Sequence, residues 1–155
     1  MQVKDLRREP PRRWNEALEG VSWLPRLIDK TRAALVGTLG AYLYGQSPMD
    51  RALLQILGLN HRTFAEIVAA APDDRAVVAA LEAHDSQCLE RARAWSATLP
   101  EKHASFLRMM DIDDGYVAGG AQKFKPLANG ISFVLTWVLK RLYPTRALEG
   151  LERKW

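Results

Sequence analysis

Four charged residues fall within seven positions at Arg26, Asp29, Lys30 and Arg32, and Tyr42 and Tyr44 follow shortly after. On a helix, Arg26 and Lys30 are four apart and Asp29 and Arg32 are three apart, so each pair shares a face. Two cations so placed suit a phosphate or a carboxylate, and the tyrosines would add hydroxyl donors or a stacking wall. The predicted ligand site therefore has Arg26, Lys30 and Arg32 as anion donors, Asp29 as the carboxylate that orients them, and Tyr42 and Tyr44 as walls. If such a pocket catalyses, Asp29 or Asp50 is the candidate general acid or base. A structural role fits the same residues: Asp29 pairing with Arg32 or Arg26 and with the charged N-terminal arm, locking the fold through partly buried bonds.

Other constellations fall short of a mechanism. Leu53, Leu57, Gly58, Leu59, Phe64 and Ile67 have the spacing of a DNA-binding helix-turn-helix. Leu54, however, stands where close helix contact wants a small residue, and the second helix opens with only His61, Arg62 and Thr63 before Glu66. An ordinary helical hairpin is the better reading, since phosphate binding wants several cations on one face. His84 and Cys88 are half of a zinc site, with only His61 and His103 left as nitrogen donors, so no metal is expected. Asp111, Asp113 and Asp114 precede Gly115 one place too early for a calcium loop, and Gln122 stands where the bidentate Glu belongs. Gly119-Gly120-Ala121-Gln122-Lys123 lacks phosphate-loop spacing, there is no Gly-x-Ser-x-Gly elbow, and no cofactor is implied.

The elements that must carry these residues read as helices. From Trp23 to Val36, Trp23, Leu24, Leu27, Ile28, Ala34 and Leu35 recur at three and four, with Pro25 tolerated in the first turn and Gly37 and Gly40 closing the segment. Ala41 to Tyr44 reads as a loop. Ser47-Pro48-Met49-Asp50 has a capping serine, a first-turn proline and an acid suited to the positive end of the dipole. Asn60 caps the next helix, Pro72 ends it, and Asp73 or Asp74 caps a longer stretch to about Thr98, broken near Asp85-Ser86. Pro100 and Glu101 begin a short helix to Met110. With no strand series evident, the fold class is all-α: a single compact domain of five to seven helices. It divides into a charged arm (1–22), a helical body (23–110), a long Gly-rich surface loop (111–130), and a C-terminal helix with a polar tail (131–155).

Length and charge narrow the function classes. The chain has 155 residues, the size of one ordinary domain, and a net charge of +4. Residues 1–13 carry five cations against two acids, residues 140–155 again five against two, and the remaining 126 carry twelve against fourteen. The body is thus mildly acidic and the basicity lies in the two ends, which makes nucleic acid an unfavoured partner. One cysteine rules out an internal disulfide framework, and the basic N-terminus leads into no apolar run, so a cytoplasmic protein is expected. The apolar stretch Ile131 to Leu139 is too short to span a bilayer. It reads as a buried helix, with the 131–142 segment a candidate for self-association, in preference to a membrane-surface helix.

The run Trp23-Leu24-Pro25-Arg26-Leu27-Ile28-Asp29-Lys30-Thr31-Arg32-Ala33, followed by Gly37-Thr38-Leu39-Gly40, Tyr42, Tyr44, Pro48 and Asp50-Arg51, resembles the bacterial family catalogued as domain of unknown function 5069. Lys4-Asp5-Leu6-Arg7 and Pro11-Arg12 look like that family's usual start, and Leu57-Gly58-Leu59 resembles the end of its next helix. The resemblance is best over about residues 4–68. It weakens to about residue 115, where Phe106-Leu107 and Asp111 to Gly115 look like the family's closing segment. Gln46-Ser47 stands in place of an Asp-Cys-like pair, so no cysteine chemistry carries over. The resemblance implies a helical fold and no activity. Function classes that fit the residues are a non-enzymatic binding or regulatory protein with a small anionic ligand, an enzyme acting on a small phosphorylated or carboxylated metabolite, and nucleic-acid association through the basic termini.

Overall fold

The computed structural model describes residues 3–117 and 125–142. Within them a two-stranded hairpin is followed by eight helices: β1 (Ala17–Leu18), β2 (Val21–Ser22), α1 (Leu24–Leu35), α2 (Pro48–Ile56), α3 (His61–Ala70), α4 (Asp74–His84), α5 (Cys88–Ala97), α6 (Leu99–Lys102), α7 (Ala104–Asp113) and α8 (Lys125–Leu142). The fold is mostly helical, as the periodicity predicts.

Local chemistry explains where the helices begin. The Ser47 hydroxyl accepts the Asp50 N–H at 3.2 Å, Asn60 accepts from Thr63 at 2.9 Å, and Asp73 accepts from Ala76 at 2.9 Å. Each side chain satisfies one of the amide donors a helix start leaves open. Prolines follow the same logic at Pro25 and Pro48, in first turns where no intrahelical acceptor is lost.

Three boundaries differ from the sequence reading. The hairpin pairs Ala17 with Ser22 and Leu18 with Val21 around Glu19 and Gly20, both at positive φ. That is the backbone a two-residue turn between twisted strands needs, but two residues per strand leave no alternation to read. The helix begun near Pro100 is interrupted at His103 into α6 and α7, and α7 continues through Asp111 to Asp113. At the other side, α8 begins at Lys125, six residues earlier than expected, with Pro126 near its start. The 111–130 segment is therefore helical at both margins, and residues 118–124 of it lie outside the described residues.

The core is built around α1. Every residue of this helix is buried except Ala34, which is half-buried, so both its apolar and its charged residues lie inside. Leu24, Leu27, Ile28 and Leu35 join Leu53, Leu57, Phe64, Val68, Leu81 and Leu89 in one cluster. Gly58, at φ 71°, turns the chain between α2 and α3. The C-terminal helix does not follow the reading of a buried helix: it packs on α7, yet Phe133 is 73% and Trp137 60% exposed.

Candidate functional site

Each charged residue of α1 meets a partner from a different segment of the chain. Lys30 places its ammonium 2.5 and 2.6 Å from the two Asp50 oxygens, near the start of α2. Arg26 reaches Asp114 at 2.8 Å, just beyond α7. Asp29 takes the Arg12 guanidinium at 2.7 Å and the Arg12 amide at 2.8 Å, both from the N-terminal arm. Arg32 meets Asp74, in the first turn of α4, at 2.5 Å, and Arg12 bonds the other Asp74 oxygen at 2.6 Å. The structural role predicted for Asp29 thus holds for the arm, whereas Arg26 and Arg32 pair elsewhere.

The Lys30–Asp50 pair is the most enclosed. Asp50 is fully buried and also accepts the Trp23 indole N–H at 2.9 Å and the Gly45 amide at 3.1 Å. Burial drives the Lys30 pKa down, and the Asp50 charge opposes it. The Trp23 backbone sits at φ 72°, a left-handed conformation that strains a bulky residue, and its indole donates to Asp50 with the two cations beside its ring. The Lys30 ammonium and the Arg26 guanidinium lie 5.6 and 5.5 Å from its ring.

Arg26 is similarly walled. Its guanidinium lies 5.7 Å from the Tyr42 ring, and the Tyr42 hydroxyl donates to the other Asp114 oxygen at 2.8 Å. Burial, and then the Asp114 charge, raise the Tyr42 pKa, so it remains a neutral donor. Tyr44 is buried and donates to the His61 carbonyl, with burial again raising its pKa. At Asp74 burial pushes the carboxyl pKa up, but Arg12 and Arg32 outweigh it and hold the group below its ordinary range.

Arg26, Asp29, Lys30, Arg32, Tyr42 and Asp50 are therefore brought to the faces of one helix, with Tyr44 on the same loop as Tyr42. They are committed to each other and to acids and bases that spacing along the chain could not reveal. The partners missed by sequence reasoning are Arg12, Asp74 and Asp114, together with Asp111, which Arg13 meets at 2.6 Å and the Trp14 indole at 3.1 Å. The one available signal was the count of acids near Gly115. Three buried donors, Arg26 Nε, Arg32 Nε and Arg32 Nη2, have no acceptor among the described residues.

On the far side of the Tyr44–Gln46 loop lies an open groove of about 860 Å³, between that loop, α2 and the start of α3, with Leu142 at the end of α8 on its edge. Gln46, Arg51, Gln55, Asn60 and His61 supply its polar lining, and none of the described residues that line it is acidic. Its floor is tied to the buried pair, because the Gly45 amide bonds Asp50. Gly45 has φ 70°, and a Cβ there would come within 2.6 Å of the His61 Cβ, so only glycine lets the loop approach α3 this closely. Burial lowers the His61 pKa, which keeps its imidazole neutral at pH 7.

A family profile described as a domain of unknown function (DUF5069) matches residues 8–128. The chain belongs to the DUF5069 family. The match takes in the arm from residue 8, all of the α1 ion pairs and the groove-forming loop, and it ends shortly after α8 begins. No curated protein matches the sequence. Among the described residues of this family member, no helix is long and apolar enough to cross a membrane.

Proposed function

We propose that this DUF5069 protein is a non-enzymatic binding or regulatory module for a small anionic ligand carrying a phosphate or carboxylate. The ligand is seated in the groove beside Arg51 and His61. The groove's lining carries this reading: among the described residues, a cleft of about 860 Å³ with Arg51, amide side chains and no carboxylate favours negative charge. The α1 cations act one layer behind it. Lys30 holds Asp50, Asp50 holds the Gly45 amide, and that amide belongs to the loop forming the groove wall. Committed in this way to buried acids, Lys30 and its neighbours serve as the frame of the site.

The test is a thermal-shift titration with inorganic phosphate, pyrophosphate and citrate, against chloride of matched ionic strength, on the full chain and two variants. Arg51→Gln removes the groove cation at an exposed position. Arg32→Lys keeps a cation beside Asp74 and removes the two donors of Arg32 that have no acceptor. An anion-specific rise in Tm that Arg51→Gln abolishes and Arg32→Lys preserves is the expected result. The reverse pattern moves the ligand onto α1, and equal responses to all salts in all three proteins refute anion binding.

A further inference from the structure

The C-terminal helix is mounted with its apolar side outward. Ser132 and Thr136, one turn apart, are half-buried beside the buried Leu139 on the side that meets the body. Leu127, Ile131, Val134, Trp137 and Leu142 are 46 to 64% exposed, and Phe133 is 73% exposed. At 100° per residue, the exposed apolar side chains from Phe133 round to Leu135 cover an arc of about 200°, broken only by Gly130 and Arg141. A seam between two helices needs a narrower stripe, and it is ordinarily flanked by charges of opposite sign. Here the 18 residues of α8 contain Lys125, Lys140 and Arg141 and no acid, so pairing with a second copy would bring like charges together.

We infer that α8 binds flat on the surface of an anionic lipid bilayer. An apolar arc this wide sinks into the boundary between headgroups and acyl chains, with Phe133 and Trp137 as the large anchors. Lys140 and Arg141 lie in the last turn, where their long side chains reach back to the lipid phosphates. Because no described helix can span a bilayer, this attachment is peripheral and reversible. The residues concerned lie almost wholly beyond the family match, so the attachment belongs to this chain's own C-terminal part.

Flotation of the full chain with vesicles of phosphatidylcholine, with and without phosphatidylglycerol, tests the inference. The protein is expected to float with the phosphatidylglycerol vesicles and to be released in part by salt. Phe133→Ser with Trp137→Ser should lower the bound fraction about tenfold or more, with the circular-dichroism melt unchanged. As a second variant, Lys140→Glu with Arg141→Glu should remove the preference for phosphatidylglycerol. Absence of flotation with either vesicle overturns the inference. So does a concentration-dependent dimer in sedimentation equilibrium that Phe133→Ser with Trp137→Ser abolishes while vesicles capture nothing.

Discussion

In α1 the charged residues lie inside, and Arg26, Asp29, Lys30 and Arg32 find partners on the arm, α2, α4 and the end of α7. In α8 most of the large apolar residues lie outside, and among the described side chains only Leu139 is buried. Both helices show mixed polar and apolar periodicity in sequence, yet α1 is buried on both faces and α8 turns its apolar face outward. A periodic pattern separates two faces of a helix but does not say which one turns inward. That is decided by what other segments offer. The α1 charges can be buried because each meets a counter-charge with hydrogen-bonding geometry, whereas the α8 apolar arc has no equivalent surface waiting for it on α7.

The sharpest way to break this contrast is to unpair α1. Lys30→Met leaves the buried Asp50 carboxylate without its cation and should cost about 3–5 kcal/mol in urea unfolding. Adding Asp50→Leu should recover much of that loss, though not the part owed to the Trp23 and Gly45 donors left behind. If Lys30→Met alone is neutral, the inward charges of α1 are not structural. Asp114→Asn is milder, because the amide oxygen still accepts from Arg26, and a loss of about 2 kcal/mol is expected, read as a fall in the urea midpoint at constant slope.

Acid should act next in size, through the same pairs. The Asp74 carboxyl titrates lower in the folded protein than its ordinary value of 3.8, so the unfolded chain takes up the proton first. Its contribution is therefore complete above that value and is lost as pH falls through the folded-state pKa. Unfolding free energy should be level near neutrality and decline below about pH 4, and Asp74→Asn should flatten that decline. A profile identical to wild type would remove Asp74 from the account. The smallest effect belongs to α8: Val134→Ser or Leu127→Ser should change stability by no more than about 0.5 kcal/mol. A larger loss would mean that the arc is covered in the isolated protein.

Much of the fold was legible because helix boundaries are local chemistry. Ser47, Asn60, Asp73, Pro48 and Gly58 each act on neighbours within four residues, and the starts of α2, α3 and α4 follow from them. The same rule misleads over 111–130, which reads as a Gly-rich loop, although Pro126 is admissible in the first turn of α8 as Pro25 is in that of α1. The candidate residues on α1 were found by type and spacing, but their roles were not. Asp114 lies 88 positions from Arg26 and Asp74 lies 42 from Arg32, and no periodicity encodes a pairing over such distances. Of the aspartates before Gly115, whose spacing misses a calcium loop, Asp111 is a counter-ion for the arm and Asp114 for α1.

The arm carries one more consequence, in the order of events during synthesis. Arg13 is held by Asp111 and the Pro11 carbonyl by the Tyr116 hydroxyl at 2.7 Å, contacts that span 98 and 105 residues of chain. Pro11 and Arg13 are thus made early and fastened late, since their partners emerge only with the end of α7 and just beyond it. Until then Arg13 has no Asp111 to meet, whereas Arg12 can already hold Asp29 and Asp74. The closure of Arg13 onto Asp111 thus follows the pairing of Arg12 with Asp29 and Asp74 in order of synthesis.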